Sequence, residues 1–566
     1  MTARNAVLIL SSVLLALSLS CASRGTPGGG PIDRTPPEIL QTEPHPDSTG
    51  ITNLSEIVIL FSERMDESTA VNAVFISPLL KYLPEWSGGD ELTLTLQDTL
   101  KKDVTYVVTI GSGASDSRRN RMADSYQFAF STGSIIQRGR ISGLVYGISE
   151  KDPFYVYAYY EPDTVFTEVD PASHPADFLS QPGARGAFIL NYLKPGTYRV
   201  FIVEDQNHNF LLDADYERVG IPTRDVRLDS ANPIFNDLYF RVSRIDTIPP
   251  VLTGARAMDA GKVLLRMSEP VKHPDKNQIT INDTLSGKPL NIRYVIPNKE
   301  EKNQYFIFTD DQNAGSGYRL MIGQLCDTSG NCQDSTQFAV FSGAAEHDTT
   351  RFRILKLTPR DSSVNVPIDR PATIQMSKAV DSLSFASAFT IRTSDDKQVD
   401  AVWIWDDLEN GYLTAPNGFH PGVTYRFSIR CGDIISVWGD SLTDSTVSRT
   451  FTTRSQDDFG SFSGFTDLPD DLPGITHMFI KAVGGRMSAI NFRPDQDGLF
   501  RIPWLAEGKY IVGGYVDLDR NLKYSPGSIN PFKYAEPYYI KSDTINIRKR
   551  WEVSDYSFGI PALEIK

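Results

Sequence analysis

Cysteine is scarce: four residues in a chain of 566, too few for a fold held by a disulfide framework. Histidine is also thin. His45, His174, His208, His273, His347, His420 and His477 are scattered, with no His-x-x-x-His pair. No Gly-x-Ser-x-Gly elbow, Walker loop, Gly-x-Gly-x-x-Gly or His-Glu-x-x-His occurs, so the sequence offers no ready nucleophile, phosphate cradle or zinc pair. Positive charge is in deficit, 56 Lys+Arg against 70 Asp+Glu for a net −14 with no basic run, which argues against a nucleic-acid partner. Beyond residue 19 no apolar run is long enough to span a bilayer. What is plentiful is hydrophobic and aromatic content, 40% and 11%, enough to exclude global disorder. At about 100–150 residues per domain, the length predicts four or five domains.

Arg4 precedes an uncharged apolar stretch from Ala6 to Leu19, the length of a secretory h-region rather than of a membrane span. It ends Leu17-Ser18-Leu19-Ser20-Cys21. This resembles a bacterial lipobox, with Ser18 where leucine is commoner. The resemblance implies a signal peptide over 1–20 and a lipidated (palmitate-type acylated) Cys21. Several acyl chains, each buried CH₂ contributing about 0.8 kcal/mol, would make attachment nearly irreversible. Residues 21–33 then read as the lipidated cysteine and a Gly/Pro tether. Ala22 is similar to the residue found there in lipoproteins sorted to an outer membrane.

Internal repeats organise the remainder. Phe61-Ser62-Glu63 is matched by Met267-Ser268-Glu269 and Met376-Ser377-Lys378. Tyr106 and Ile110 are matched by Tyr318 and Ile322, and by Tyr425 and Ile429. Each unit closes on Asp-Ser and a strand ending in Phe130, Phe341 or Phe451. Asp33-Arg34-Thr35-Pro36-Pro37 opens the first unit and Asp246-Thr247-Ile248-Pro249-Pro250 the second; Asp348-Thr349-Thr350-Arg351 stands at the third. Runs such as Leu92-Thr93-Leu94-Thr95-Leu96 alternate in polarity, the pattern of antiparallel strands with one face in a core. Short strands between turn residues over about 100 positions favour β-sandwiches. A second set recurs twice: Gly139 to Gly143 matches Gly460 to Gly464, and Gly186, Phe188, Leu193, Gly196 and Tyr198 match Gly498, Phe500, Leu505, Gly508 and Tyr510 at unchanged spacing.

The threefold unit resembles the Ig-like domain of S-layer proteins (SbsA-type). The diproline start, the Phe-Ser-Glu strand and the Asp-x-x-Gly-Asn loop carry the likeness. Asp327 to Asn331 matches that loop fully, Asp116 to Asn120 keeps its ends, and Asp433 supplies only the aspartate. The twofold unit resembles transthyretin-like, or carboxypeptidase-regulatory-like, sandwiches. The expectation is therefore an all-β chain of serial sandwiches: Ig-like 34–134, transthyretin-like 135–243, Ig-like 244–343, Ig-like 344–455 and transthyretin-like 456–566. Lipobox, tether and domain start together are similar to envelope proteins of Bacteroidetes-type bacteria.

Candidate sites follow. Asp205, Asn207, Asn209 and Asp213 in one loop, and Asp517, Asp519 and Asn521 in its repeat, place oxygen donors at alternate positions as Ca²⁺ sites do. Phe210 and Leu522 stand where an EF-hand needs glycine, and Asx turns explain the same residues. Ca²⁺ is the one candidate cofactor. Cys326 and Cys332 flank a tight loop and fit a disulfide in an oxidising compartment; Cys431 reads as a buried apolar residue. Tyr155, Tyr157 and Tyr159 share a strand face that could stack on sugar rings, and so do Trp403 and Trp405, although core packing explains both. No catalytic residue is assigned. The reading is a non-catalytic, lipid-anchored protein of the outer membrane or cell surface, acting as an elongated spacer and interaction platform. Its partners would be the membrane and an envelope protein or glycan. The alternatives are a glycan- or protein-binding module, calcium-stabilised or not, and an envelope hydrolase, for which the many acidic residues leave a carboxylate pair open.

Overall fold

A computed structural model describes residues 33–561, apart from 150–151, 163–165, 167–168, 184, 247, 273, 469–472 and 485–488. Strand makes up 47% of it and helix 4%, so the chain is all-β. It builds five two-sheet sandwiches. In the first Ig-like domain a four-stranded sheet, ordered Ile39–Glu43, Glu56–Phe61, Glu91–Leu96 and Tyr82–Ser87, covers a three-stranded sheet of Val74–Ser77, Thr105–Ile110 and Tyr126–Ser131. Polarity alternates along Glu56–Phe61 as burial does, with Ile57, Ile59 and Phe61 inside. The second Ig-like domain repeats the same four-plus-three arrangement, and the third adds a fourth strand, Ser363–Val366, to its second sheet. Each domain has a separate hydrophobic core.

The repeated tyrosines have one structural job. The hydroxyls of Tyr106, Tyr318 and Tyr425 accept from the N–H of Lys101, Asn313 and His420 at 2.7, 2.8 and 3.0 Å. Each ring lies 5.5 Å, near-parallel, from Phe130, Phe341 or Phe451. A buried aromatic body with a satisfied polar tip locks a loop to the core.

The second and fifth domains, read from sequence as transthyretin-like, differ from the antiparallel expectation in one strand each. Gly139–Tyr146 pairs parallel with Ile234–Arg241, and Phe459–Thr466 pairs parallel with Glu552–Phe558. Both pairs are bulged, with Asp237 and Asp555 at φ 64° and 58°. The repeated glycines make the close approach workable: a Cβ on Gly143 would lie 1.8 Å from the Leu238 carbonyl oxygen, and one on Gly464 2.0 Å from that of Tyr556. Gly143→Ala is therefore expected to lower the stability of its domain by about 1–3 kcal/mol, read as a lower melting temperature. Gly254→Ala, whose Cβ would meet nothing within 4 Å, should leave melting unchanged.

The domains do not form a simple row. Each sandwich keeps its own hydrophobic core, so the described chain is not fused around a single core. Yet the last domain returns to the second. Tyr239 meets Tyr539 at 4.9 Å between ring centroids, Tyr146 meets Tyr538 at 5.6 Å, and Phe201 meets Phe532 at 6.1 Å. The Tyr146 hydroxyl donates to the Ile540 carbonyl, and the Ala535 N–H donates to that of Pro222. The second and third Ig-like domains also share a small cluster in which Trp438 packs edge-on against buried Phe308 at 5.0 Å. The expected elongated string of autonomous modules is corrected accordingly: the path closes on itself through aromatic contacts about 300–400 residues apart.

Candidate functional site

Tyr155, Tyr157 and Tyr159 sit on strand Phe154–Glu161 and are 3%, 0% and 4% exposed. They are not a sugar-stacking platform, which corrects the sequence expectation. Their face is covered by Phe75 of the first Ig-like domain, by the strand's own loops, and by Ala535 of the last domain. The Tyr157 hydroxyl donates to Asp205 and that of Tyr159 to the His174 carbonyl, while Tyr155 meets His208 Nδ1 at 3.2 Å. Desolvation pushes all three phenols well above their ordinary range. Trp403 is buried in the third Ig-like core, edge-on to Phe385, and Trp405 packs against the same ring. Rows of aromatics read identically from sequence whether solvent or a neighbouring domain faces them.

The two Asp/Asn loops are built alike. Asp205, wholly buried, accepts from the N–H groups of Asn209 and Phe210 at 3.1 and 2.9 Å; Asp517 does the same for Asn521 and Leu522 at 3.0 and 2.8 Å. Asp213 accepts from both side-chain amides of Asn207 and Asn209, and Asp519 from Asn521 and Ser525. Buried Glu217 and Glu536 brace each loop from across by accepting two or more backbone N–H groups, and burial raises both carboxyls. Oxygens singled out for Ca²⁺ accept from the loops' own donors, as in Asx turns, while in the second loop carboxylate oxygens of Asp517, Asp519 and Glu536 lie within 4.8 Å of one another. Neither glutamate was singled out in the sequence; Glu217 follows Asp213 by 4 residues and Glu536 follows Ser525 by 11, outside the alternating run.

Cys326 and Cys332 form a disulfide across the Asp327–Asn331 loop, and Cys431 is buried and free. Cys21 lies outside the described residues. An open cleft of about 530 Å³ between the first two domains is lined by Thr69, Arg121, Asp152, Tyr155, Gln181 and His208 among others. Among the described lining residues Asp152 supplies the one carboxylate, and that oxygen is held by Arg218 at 2.8 Å.

A constellation missed at the sequence level occurs in each of the first two Ig-like domains. In the first, oxygens of Asp33, Glu63 and Asp116 lie within 4.8 Å of one another; in the second, those of Asp246, Glu269 and Asp327 do so. Asn120 and Asn331 tie the loops back, donating to the carbonyls of Asp33 and Asp246 and to Asp116 and Asp327. Burial and the neighbouring aspartates raise Glu63, and raise Glu269 to about 7. The third domain differs in kind. Lys378 takes the glutamate's place, and the bridge pattern aligns Ser436 with Asp116 and Asp327, and Asp440 with Asn120 and Asn331. Asp433, matched to this loop from sequence, lies in a 3₁₀ turn upstream. The repeats had displayed the residues of the first two domains and Lys378, but not Ser436 or Asp440; the available signal was the Glu-to-Lys change at one repeat position.

Such serial sandwiches define an all-β protein of repeated two-sheet domains. A family profile described as a bacterial Ig-like domain matches residues 33–132 and 348–453, the first and third Ig-like domains. Curated protein sequences return no match. Among solved structures, the N-terminal part of the bacterial S-layer protein SbsC is similar at 12% identity and a TM-score of 0.17, over 36% of this chain and 44% of that one. The native alpha-2-macroglobulin of Escherichia coli (domains MG0-NIE-MG1) aligns at 12% identity and 0.14, over 54% and 96%. The four N-terminal Ig domains of Dscam1 align at 8% and 0.17, over 75% and 100%. The chain therefore spans less than half the SbsC fragment's length, and its domain arrangement rests on its own contacts.

Proposed function

We propose that this chain is a non-catalytic envelope lipoprotein, anchored through Cys21, that holds an Ig-like and transthyretin-like platform away from a bacterial outer membrane. The observation that supports it most is the architecture itself: five sandwiches with separate cores, joined by aromatic contacts, following a lipobox-like leader and a Gly/Pro tether. The match of two domains to bacterial Ig-like sequences fits a surface role. Detergent-phase partitioning of the chain expressed with its leader tests the anchor. Wild type should enter the detergent phase and Cys21→Ser the aqueous one; a Cys21→Ser chain that still partitions with detergent removes the lipid from the proposal.

A protein-binding module is the second reading. Strand Gln337–Ser342, at the end of its sheet, exposes Phe338 and Val340 by 62% and 56%, an apolar strip that a partner protein can cover.

A further inference from the structure

One face of the second sheet is used differently in each Ig-like domain. The strand registers place Thr109, Met321 and Ser428 at one position of that face, Gln127, Phe338 and Ser448 at another, and Ala129, Val340 and Thr450 at a third. In the first domain the face is closed by the second domain of the chain. Thr109 and Ala129 are buried there, and Phe75 stands edge-on to Tyr155 and Phe210 at 5.2 and 5.7 Å. Ser77 accepts from the Leu179 N–H at 3.0 Å, and Gln127 from the Asn191 amide at 2.9 Å. In the third Ig-like domain the same positions are polar, Ser428, Ser448 and Thr450 beside an exposed Arg426. In the second they are apolar and open: Phe338 and Val340 are exposed, with the Arg319 guanidinium 5.1 Å from the Phe338 ring.

The half that covers the first Ig-like domain also occurs twice. Phe210, which packs on Phe75, is repeated as Leu522, five residues after Asp517 as Phe210 is after Asp205; Leu179 is repeated as Asn491 on strand Ile490–Phe492. The last domain turns the segment around Phe532 and Tyr538 toward the second domain, which leaves Leu522 58% and Leu518 38% exposed. The domain just before it in the chain presents the polar version of the face. One joint is therefore present twice, closed in one case and with both halves open in the other. We propose that the open halves meet between two copies of this chain, Met321, Phe338 and Val340 of the second Ig-like domain taking the Leu518–Leu522 loop of the other copy's last domain. This rests on the reading that a protein covers the strip, and names that protein. Apolar side chains left in water on both surfaces drive the contact, and the serines and threonine of the third Ig-like domain remove the competing seat next to the loop. Because the two patches differ, the contact is heterologous and repeats head to tail. It does not depend on the lipid anchor.

The test is sedimentation velocity of the full chain carrying Cys21→Ser, so that acyl chains take no part, over about 1–100 µM, the weak end of the range for protein interfaces. The mass of this parent chain should rise above that of a monomer as concentration increases. Phe338→Ser/Val340→Thr, which gives the second Ig-like domain the residues of the third, should stay monomeric. Leu522→Arg, which sets a second cation against Arg319, should do the same. Both variants should melt as the parent does, since all three side chains are exposed. Mixed together they should form a dimer and nothing larger, because each keeps one intact half. Leu383→Ser, which removes a leucine 79% exposed on the third Ig-like domain, should associate as the parent does. A parent chain that is monomeric throughout, association that survives Phe338→Ser/Val340→Thr, or a mixture that stays monomeric overturns the proposal. Association lost in that double variant but kept in Leu522→Arg rejects the last domain as the occupant and leaves the strip a protein-binding surface.

Discussion

A Phe451→Ala chain should lose about 3–5 kcal/mol from the third Ig-like domain and melt that domain ahead of the others. Phe451 is wholly buried and stands between Tyr425 at 5.5 Å, Phe427 at 6.2 Å and Phe419 at 6.4 Å. Truncation removes the ring from three aromatic contacts at once and leaves a void that strands Thr424–Ile429 and Val447–Thr453 cannot collapse into without breaking their ladder. A loss of that size is a large share of a single domain's stability. Because each core is separate, the other transitions should hold, with one exception. The second Ig-like domain leans on Trp438 through Phe308 and should soften by a smaller amount. Differential scanning calorimetry with hydrogen exchange resolves the domains. If all transitions move together, the cores are not independent.

Much of the sandwich architecture could be read beforehand because two periodicities coincide in it. Leu92-Thr93-Leu94-Thr95-Leu96 gives the strand face, and the recurring Tyr106, Tyr318 and Tyr425 give the repeat. Gly143 and Gly464 were legible as positions but not as causes, since the parallel strand that presses on them arrives roughly 90 residues later. The site was harder. Alternating Asp and Asn within one loop looks the same whether the oxygens face an ion or turn onto local N–H groups. The clusters around Glu63 and Glu269 draw on three distant segments, so no spacing rule finds them. Tyr155 to Tyr159 failed as a surface for a related reason: burial by another domain leaves no mark on the strand that is buried.

That covering contact gives the other large expected effect: Arg199→Leu should detach the last domain from the second. Arg199 lies on strand Gly196–Glu204 with its side chain 7% exposed. Its guanidinium makes a fork to Asp225 at 2.8 and 2.7 Å and lies 3.9 Å from the centroid of Phe532 and 4.7 Å from that of Phe166. Tyr534 closes the group, donating to Asp225 at 2.8 Å. Leucine restores neither the fork nor the stacked cation, and Asp225, only 17% exposed, is left with the tyrosine alone. Breaking a pair this buried costs about 3 kcal/mol, the low end of the range because Asp225 keeps some solvent. The cost falls on the interface as much as on the domain, since Phe532 and Tyr534 belong to the returning segment. Small-angle scattering should show a larger radius of gyration, and proteolysis should quicken near residues 454–458, where the chain enters the last domain. Arg199→Lys, which keeps the charge but not the planar fork, should fall between the two. A double-mutant cycle with Phe532→Ala separates the effects: coupling of about 0.5–3 kcal/mol marks a shared interface. Additive losses with unchanged scattering would mean that the aromatic contacts do not hold the two domains together.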